Sequence, residues 1–170
     1  MPRLHVCSLA RIGEMVEKTG ARSMVTLLSP GTEVLRPDAI TAENHLNIGM
    51  SDIVVAAPGQ VAPGVAHVEE LIQFVRRWDR AAPMLIHCYA GVSRSTASAF
   101  ITVCTLSPQR DEREIALALR RASPTATPNT RLVALADAYL GRDGRMRAAI
   151  DAIGRGVDCY EGAPFALEIA

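Results

Sequence analysis

An α/β fold, with a central mixed, partly parallel sheet flanked by helices, is what this sequence predicts, and three observations predict it. Short apolar runs of strand length alternate with stretches of helical period through the first half of the chain. One of these runs, Pro83-Met84-Leu85-Ile86, turns through a glycine-containing loop directly into a helix-like run that begins at Ser95. Beyond that run the patterns are helical, as expected where helices cover the faces of a parallel sheet.

Leu4 to Leu9 reads as a first short strand. Arg11 to Thr19 then sets Ile12, Met15 and Val16 on one helical face, and Gly20 is a natural C-terminal stop. Ser23 to Leu28 is a buried strand ended by Ser29-Pro30-Gly31. From Thr32 to Glu43 the pattern is irregular and suits a surface loop with a helical turn. His45 to Ile48 is a further strand, and Pro58, Gly59, Pro63 and Gly64 break the chain after it.

Val65 to Arg80 is the clearest amphipathic helix. Val68, Leu71, Ile72, Val75 and Trp78 form its apolar stripe, opposite Glu69, Glu70, Arg76 and Arg77. Ser95 to Leu106 is apolar on nearly all sides, which predicts a helix buried inside the domain. Asp111 to Ala122 is amphipathic through Ile115, Leu117, Ala118 and Leu119, with acids early and arginines late, as the helix dipole favours. Asn129-Thr130 opens a helix to about Leu140, and Arg145 to Ile153 reads as another piece. The tail, residues 155–170, is weakly patterned and expected to be loosely ordered. A single domain over residues 1–170 accounts for the length, without repeat or linker.

Eighteen Lys plus Arg balance eighteen Asp plus Glu, so bulk charge nominates neither nucleic acid nor a membrane as partner. Residues 1–6 lack a signal-like apolar core, and no apolar run approaches membrane-spanning length. Cys7, Cys88, Cys104 and Cys159 have no CxxC or zinc-like spacing, so no metal is implied, and reduced thiols in a cytoplasm fit best.

The candidate chemistry sits in His87-Cys88-Tyr89-Ala90-Gly91-Val92-Ser93-Arg94-Ser95. A loop between a buried strand and a helix N-terminus is an anion site, because its amides turn inward and the dipole adds partial positive charge. A thiol beside such a helix start and a cation ionises more readily. Gly91 permits a turn that other residues resist. Arg94 offers a planar fork that matches two phosphoryl oxygens. Either residue alone has a structural explanation. Together on one tight loop they do not, because an unpaired buried arginine is costly.

His-Cys-x-x-Gly-x-Ser-Arg-Ser resembles the signature of the cysteine-dependent protein tyrosine phosphatases, in the form typical of dual-specificity members. Five or six specified residues in nine, between strand and helix, carry that resemblance. It implies the phosphotyrosine phosphatase II-like fold and phosphoryl transfer through a cysteinyl-phosphate, with no cofactor. On that resemblance Cys88 is the nucleophile and Arg94 holds the phosphoryl oxygens. Ser95 steadies the departing thiolate, and the amides from Tyr89 through Ala90, Gly91, Val92 and Ser93 to Arg94 cradle the charge. His87 fits either a support of the loop or a satisfied core histidine.

The family takes its leaving-group proton from an aspartate some thirty-odd residues upstream. Asp52, 36 residues before Cys88 and just after a strand, fits. Asp79 precedes the strand that leads to Cys88 and so lies near its far end, roughly 15 Å away. Asp38 and Glu43 stay open, since their loop has no readable position. Pro128-Asn129 resembles the family's late Pro-Asn pair, whose asparagine braces the phosphate loop, and Asn129 is equally expected as a helix N-cap.

The resemblance spans about residues 46–140. The chain lacks the Lys-Asn-Arg-Tyr segment of larger members, which argues against strict phosphotyrosine preference. It also lacks the loop lysines of phosphoinositide-directed relatives, which disfavours a highly anionic lipid. The expected partners are a phosphorylated protein or small phosphomonoester, with phosphate, sulfate or vanadate as site anions. A rhodanese-like sulfurtransferase and a non-catalytic phospho-binding module are the competing readings.

Overall fold

The computed structural model describes residues 3–170, so Met1 and Pro2 of the expected domain lie outside the described residues. Five strands form one sheet: β1 (Arg3–Cys7), β2 (Ser23–Leu28), β3 (His45–Gly49), β4 (Met84–His87) and β5 (Phe165–Glu168). Their order is β3-β2-β4-β1-β5, with β5 antiparallel to β1 and every other neighbouring pair parallel. β2 and β4 are buried along their whole length, which is why both are mostly apolar, broken only by Ser23, Thr26 and His87.

Alternation along these strands divides the core between the two faces. Cys7, Met24 and Leu85 pack with Ile12, Met15 and Val16 of α1 (Ile12–Thr19). Leu4, Val6, Val25, Leu27 and Ile86 face the other way. That side is covered by α2 (Val65–Arg77), α3 (Arg94–Leu106), α4 (Glu112–Ala122), α5 (Thr130–Leu140) and α6 (Arg145–Ile153).

The stripe is buried as the spacing predicts, but α2 ends at Arg77 rather than Arg80, so Trp78 lies just past the helix as its C-cap. α3 is buried from Arg94 to Thr105 despite its hydroxyls. Ser98, Thr102 and Thr105 donate to carbonyls one turn back, at 2.9, 2.7 and 2.7 Å, so no hydroxyl is stranded. At the α5–α6 corner the buried Asp137 accepts from Gly144 N and Met146 N at 2.7 Å, and thereby caps α6.

Three further expectations are corrected. The first strand stops at Cys7 and a short 3-10 turn, Leu9–Arg11, follows it, because Leu9 N leaves the ladder to donate to Tyr89 O at 3.0 Å. Leu117, expected on an apolar stripe, is half exposed. The segment 155–170, expected to be loosely ordered, carries β5, which buries Phe165, Leu167 and Ile169 and covers what would otherwise be the open edge of β1. Those three residues alternate with a period of two, a strand signal in a stretch too short to stand out.

Candidate active site

The parallel strands end together, and the turn after β4 lies among their C-terminal ends, where such sheets bind ligands. Gly91 has φ +73°, and a Cβ there would sit 3.0 Å from the backbone of Cys7 and Ser8 at the end of β1. Only glycine lets the turn press that close.

The carbonyls of this turn are held outward one by one. Cys88 O accepts from His87 Nδ1 at 3.0 Å and Tyr89 O from Leu9 N at 3.0 Å. Ala90 O accepts from Gly162 N at 2.9 Å, Val92 O from Thr127 N at 2.9 Å, and Ser93 O from Asn129 N at 3.2 Å. In a trans peptide the N–H points opposite to the C=O, and no cis bond occurs among the described residues. Fixing those five carbonyls outward therefore turns the N–H groups of Tyr89, Ala90, Gly91, Ser93 and Arg94 to the other side. Among the described residues no backbone group accepts from these amides.

The Arg94 side chain is buried against the same turn. Its Nη1 donates to Met50 O at 2.9 Å and reaches Ser29 Oγ at 3.5 Å, while its Nε is buried without a partner. An orphaned guanidinium donor is costly unless an anion takes it. With Nη1 spent on the scaffold, the Nε–Nη2 edge remains for a bidentate acceptor. Cys88 is 2% exposed, and its Sγ lies 3.0 Å from Ser95 Oγ.

His87 is buried at the end of β4. A carbonyl only accepts, so the ring proton is on Nδ1, and Nε2 accepts from Thr26 Oγ1 at 2.7 Å. Thr26 Oγ1 in turn accepts from His45 Nε2 at 2.7 Å. Burial holds the His87 ring well below the ordinary histidine range, at about 4, so it is neutral and its tautomer is fixed. Burial likewise pushes the Cys7 and Cys104 thiols up to about 12, which keeps both protonated, and all four cysteines are free.

Asp52 follows β3, at the base of a loop closed by Ser51 N donating to Val61 O at 2.7 Å. Its Oδ1 accepts from Ser93 Oγ at 2.7 Å and from Asn129 Nδ2 at 2.9 Å. The Asn129 side chain thus grips Asp52 and also Ile53 O, at 3.2 Å, while its backbone N–H reaches the phosphate-loop candidate at Ser93 O. Its Oδ1 caps α5 by accepting from Leu132 N at 3.1 Å, so both readings of this residue describe part of what it does. Asp79 accepts from Ala81 N at the start of β4, the far end of the strand. Asp38 and Glu43 make no hydrogen bond to the turn among the described residues.

Sequence reasoning missed Leu9, Thr127 and Gly162, which donate to the turn, and Thr26 and His45, which reach it through His87; each contact depends on tertiary packing. A cavity of about 730 Å³ between α4 and β5 includes none of the residues around Cys88.

Residues 57–122 match the family model described as protein-tyrosine phosphatase. Among solved structures the fold is similar to that of DUSP15, at 20% identity over 89% of this chain and 92% of that one, with a TM-score of 0.62. It is also similar to that of the PTP-2 phosphatase of Cydia pomonella, at 20% identity over 79% of this chain and 84% of that one, with a TM-score of 0.61. A mouse putative dual specificity phosphatase complexed with zinc tungstate shares 17% identity over 86% of each chain, with a TM-score of 0.62. No curated protein sequence matches this chain.

Proposed function

We propose that the chain is a dual-specificity-phosphatase-like cysteine phosphatase, that its residues 1–170 act as one phosphatase domain, and that its nucleophile is Cys88. The substrates are phosphomonoesters, with phosphotyrosine proteins first and phosphoserine or phosphothreonine proteins second. The Cys88 thiolate attacks phosphorus and the P–O ester bond breaks. Asp52 gives its proton to the departing oxygen. Water then attacks the cysteinyl-phosphate, Asp52 takes the proton of that water, and the S–P bond breaks to return the thiolate. The Ser95 hydroxyl, 3.0 Å from the sulfur, donates to the thiolate as it departs. Arg94 and the amides from Tyr89 to Arg94 bind the equatorial oxygens throughout.

One observation carries the reading: Arg94 Nε is buried without a partner, at the end of a turn whose carbonyls are all but one hydrogen-bonded to the surrounding scaffold. His87 is a support of that turn in this account, not a base, since its one ring proton is committed to a carbonyl. Phosphate, sulfate and vanadate are the expected site anions. A cytoplasmic location suits four free thiols, and among the described residues no helix is long and apolar enough to cross a membrane.

The test is hydrolysis of p-nitrophenyl phosphate, phosphotyrosine peptides and phosphoserine/threonine peptides by the purified protein, with Cys88→Ser as the blank. Trapping a phosphorylated Cys88 in an acid-quenched reaction supports the reading. Equal hydrolysis by Cys88→Ser, or sulfur transfer from thiosulfate to cyanide without any hydrolysis, overturns it.

A further inference from the structure

The C-terminal strap, residues 154–164, lies across the back of the turn that carries Cys88. Gly162 N donates to Ala90 O at 2.9 Å, the one hydrogen bond of that carbonyl among the described residues. The approach is as close as backbone allows: a Cβ on Gly162 would stand 2.9 Å from Gly91 O and 3.5 Å from Ala90 O. Gly91 is itself pressed against Cys7 and Ser8 on its other side. Its peptide is therefore clamped between the end of β1 and the strap, with two glycines making the clamp sterically possible.

The strap is anchored on both sides of Gly162. Upstream, Arg120 Nη2 donates to Gly154 O at 2.8 Å, Gly156 N to Thr127 Oγ1 at 3.1 Å and Val157 N to Pro124 O at 3.0 Å. Next to Gly162, Ser8 Oγ donates to Glu161 Oε1 at 2.5 Å. Downstream, β5 joins the sheet with Phe165 opposite Val6. A loosely attached tail would need none of these ties.

We infer that Gly162 is a positioning residue for phosphoryl transfer, and that the strap belongs to the catalytic apparatus. By holding Ala90 O outward, Gly162 aims the N–H of Gly91 at the phosphoryl group. The inference rests on the phosphatase reading above and names what orients one donor of its anion cradle.

Gly162→Ala is the direct test, because the added methyl drives against Gly91 O. Tungstate affinity by calorimetry, kcat/KM for p-nitrophenyl phosphate, and the Gly91 amide resonance with and without tungstate are measured on the wild type and the variant. The expected result is a loss of about tenfold or more in both tungstate affinity and kcat/KM. The downfield shift of the Gly91 amide on tungstate addition should also disappear. Val75→Ala, a buried position on α2 away from the strap and the turn, should lower Tm with tungstate affinity unchanged. If Gly162→Ala only lowers Tm, with affinity and the Gly91 shift retained, the inference is overturned. Should that variant not fold, Ser8→Ala, which frees Glu161 and adds no volume, takes its place: weaker tungstate binding supports the inference and unchanged binding overturns it. A wild type that binds no tungstate would instead count against the phosphatase reading itself.

Discussion

Asn129 and Asp52, 77 positions apart, meet at 2.9 Å, with the amide of Asn129 donating to Oδ1 of the carboxylate. The Ser93 hydroxyl donates to that same oxygen at 2.7 Å. Both lone-pair contacts of Oδ1 are thereby taken, so a proton carried by Asp52 sits on Oδ2. In the proposed mechanism Oδ1 is the anchored oxygen and Oδ2 the one that carries the proton to the leaving group.

Asn129→Asp separates the two duties of this residue. An aspartate still caps α5 through Leu132 N, since Asp and Asn are comparable N-caps. It cannot donate to Asp52 and sets a second negative charge beside it. Tm should stay within a few degrees, whereas kcat on alkyl phosphates should fall about tenfold or more. Equal loss of activity and of Tm would point to the cap alone.

Asp52→Asn should lower the rate on the order of 10²–10³-fold for poor leaving groups and far less for p-nitrophenyl phosphate, which departs without help. The basic limb of the pH–rate profile should flatten with it. Full activity on alkyl phosphates would show that the acid is another residue.

Cys88→Ser should abolish turnover and still bind tungstate, because the amides and Arg94 remain. Ser95→Ala should slow the second step more than the first, so a burst of p-nitrophenol precedes a slower steady state. A uniform slowing with no burst would place Ser95 outside the breakdown of the intermediate.

His87 makes stability depend on pH. Its folded pKa is depressed to about 4 from the ordinary 6.5. Between these values the unfolded chain holds a proton that the folded chain does not, so stability rises with pH across the window. The contribution is fully present above pH 6.5 and is lost as pH falls towards 4, by on the order of 3 kcal/mol. Urea midpoints measured from pH 7 to pH 4 should show this slope, and His87→Asn should flatten most of it. His45, whose pKa is also lowered by burial, adds a smaller slope of the same sign.

The four parallel strands, the buried α3 and the turn from Cys88 to Arg94 were legible in the chain because each depends on neighbours a few residues away. Periodicity marks what must be buried, and a glycine and an arginine at fixed offsets from a cysteine constrain one short turn. Asp52 was found only through a family pattern, since an isolated aspartate after a strand carries no signal of its own. Trp78 and Val75 declared their burial by spacing, whereas Phe165, Leu167 and Ile169 formed too brief an alternation to stand out.

What tertiary structure alone decided is which distant groups hold that turn: Leu9, Thr127 and Gly162 by backbone N–H, His87 through Thr26 and His45, and Asn129 astride Asp52. A backbone N–H is the same in every residue, so its identity as a partner is set by strand order and packing and leaves no mark in the sequence.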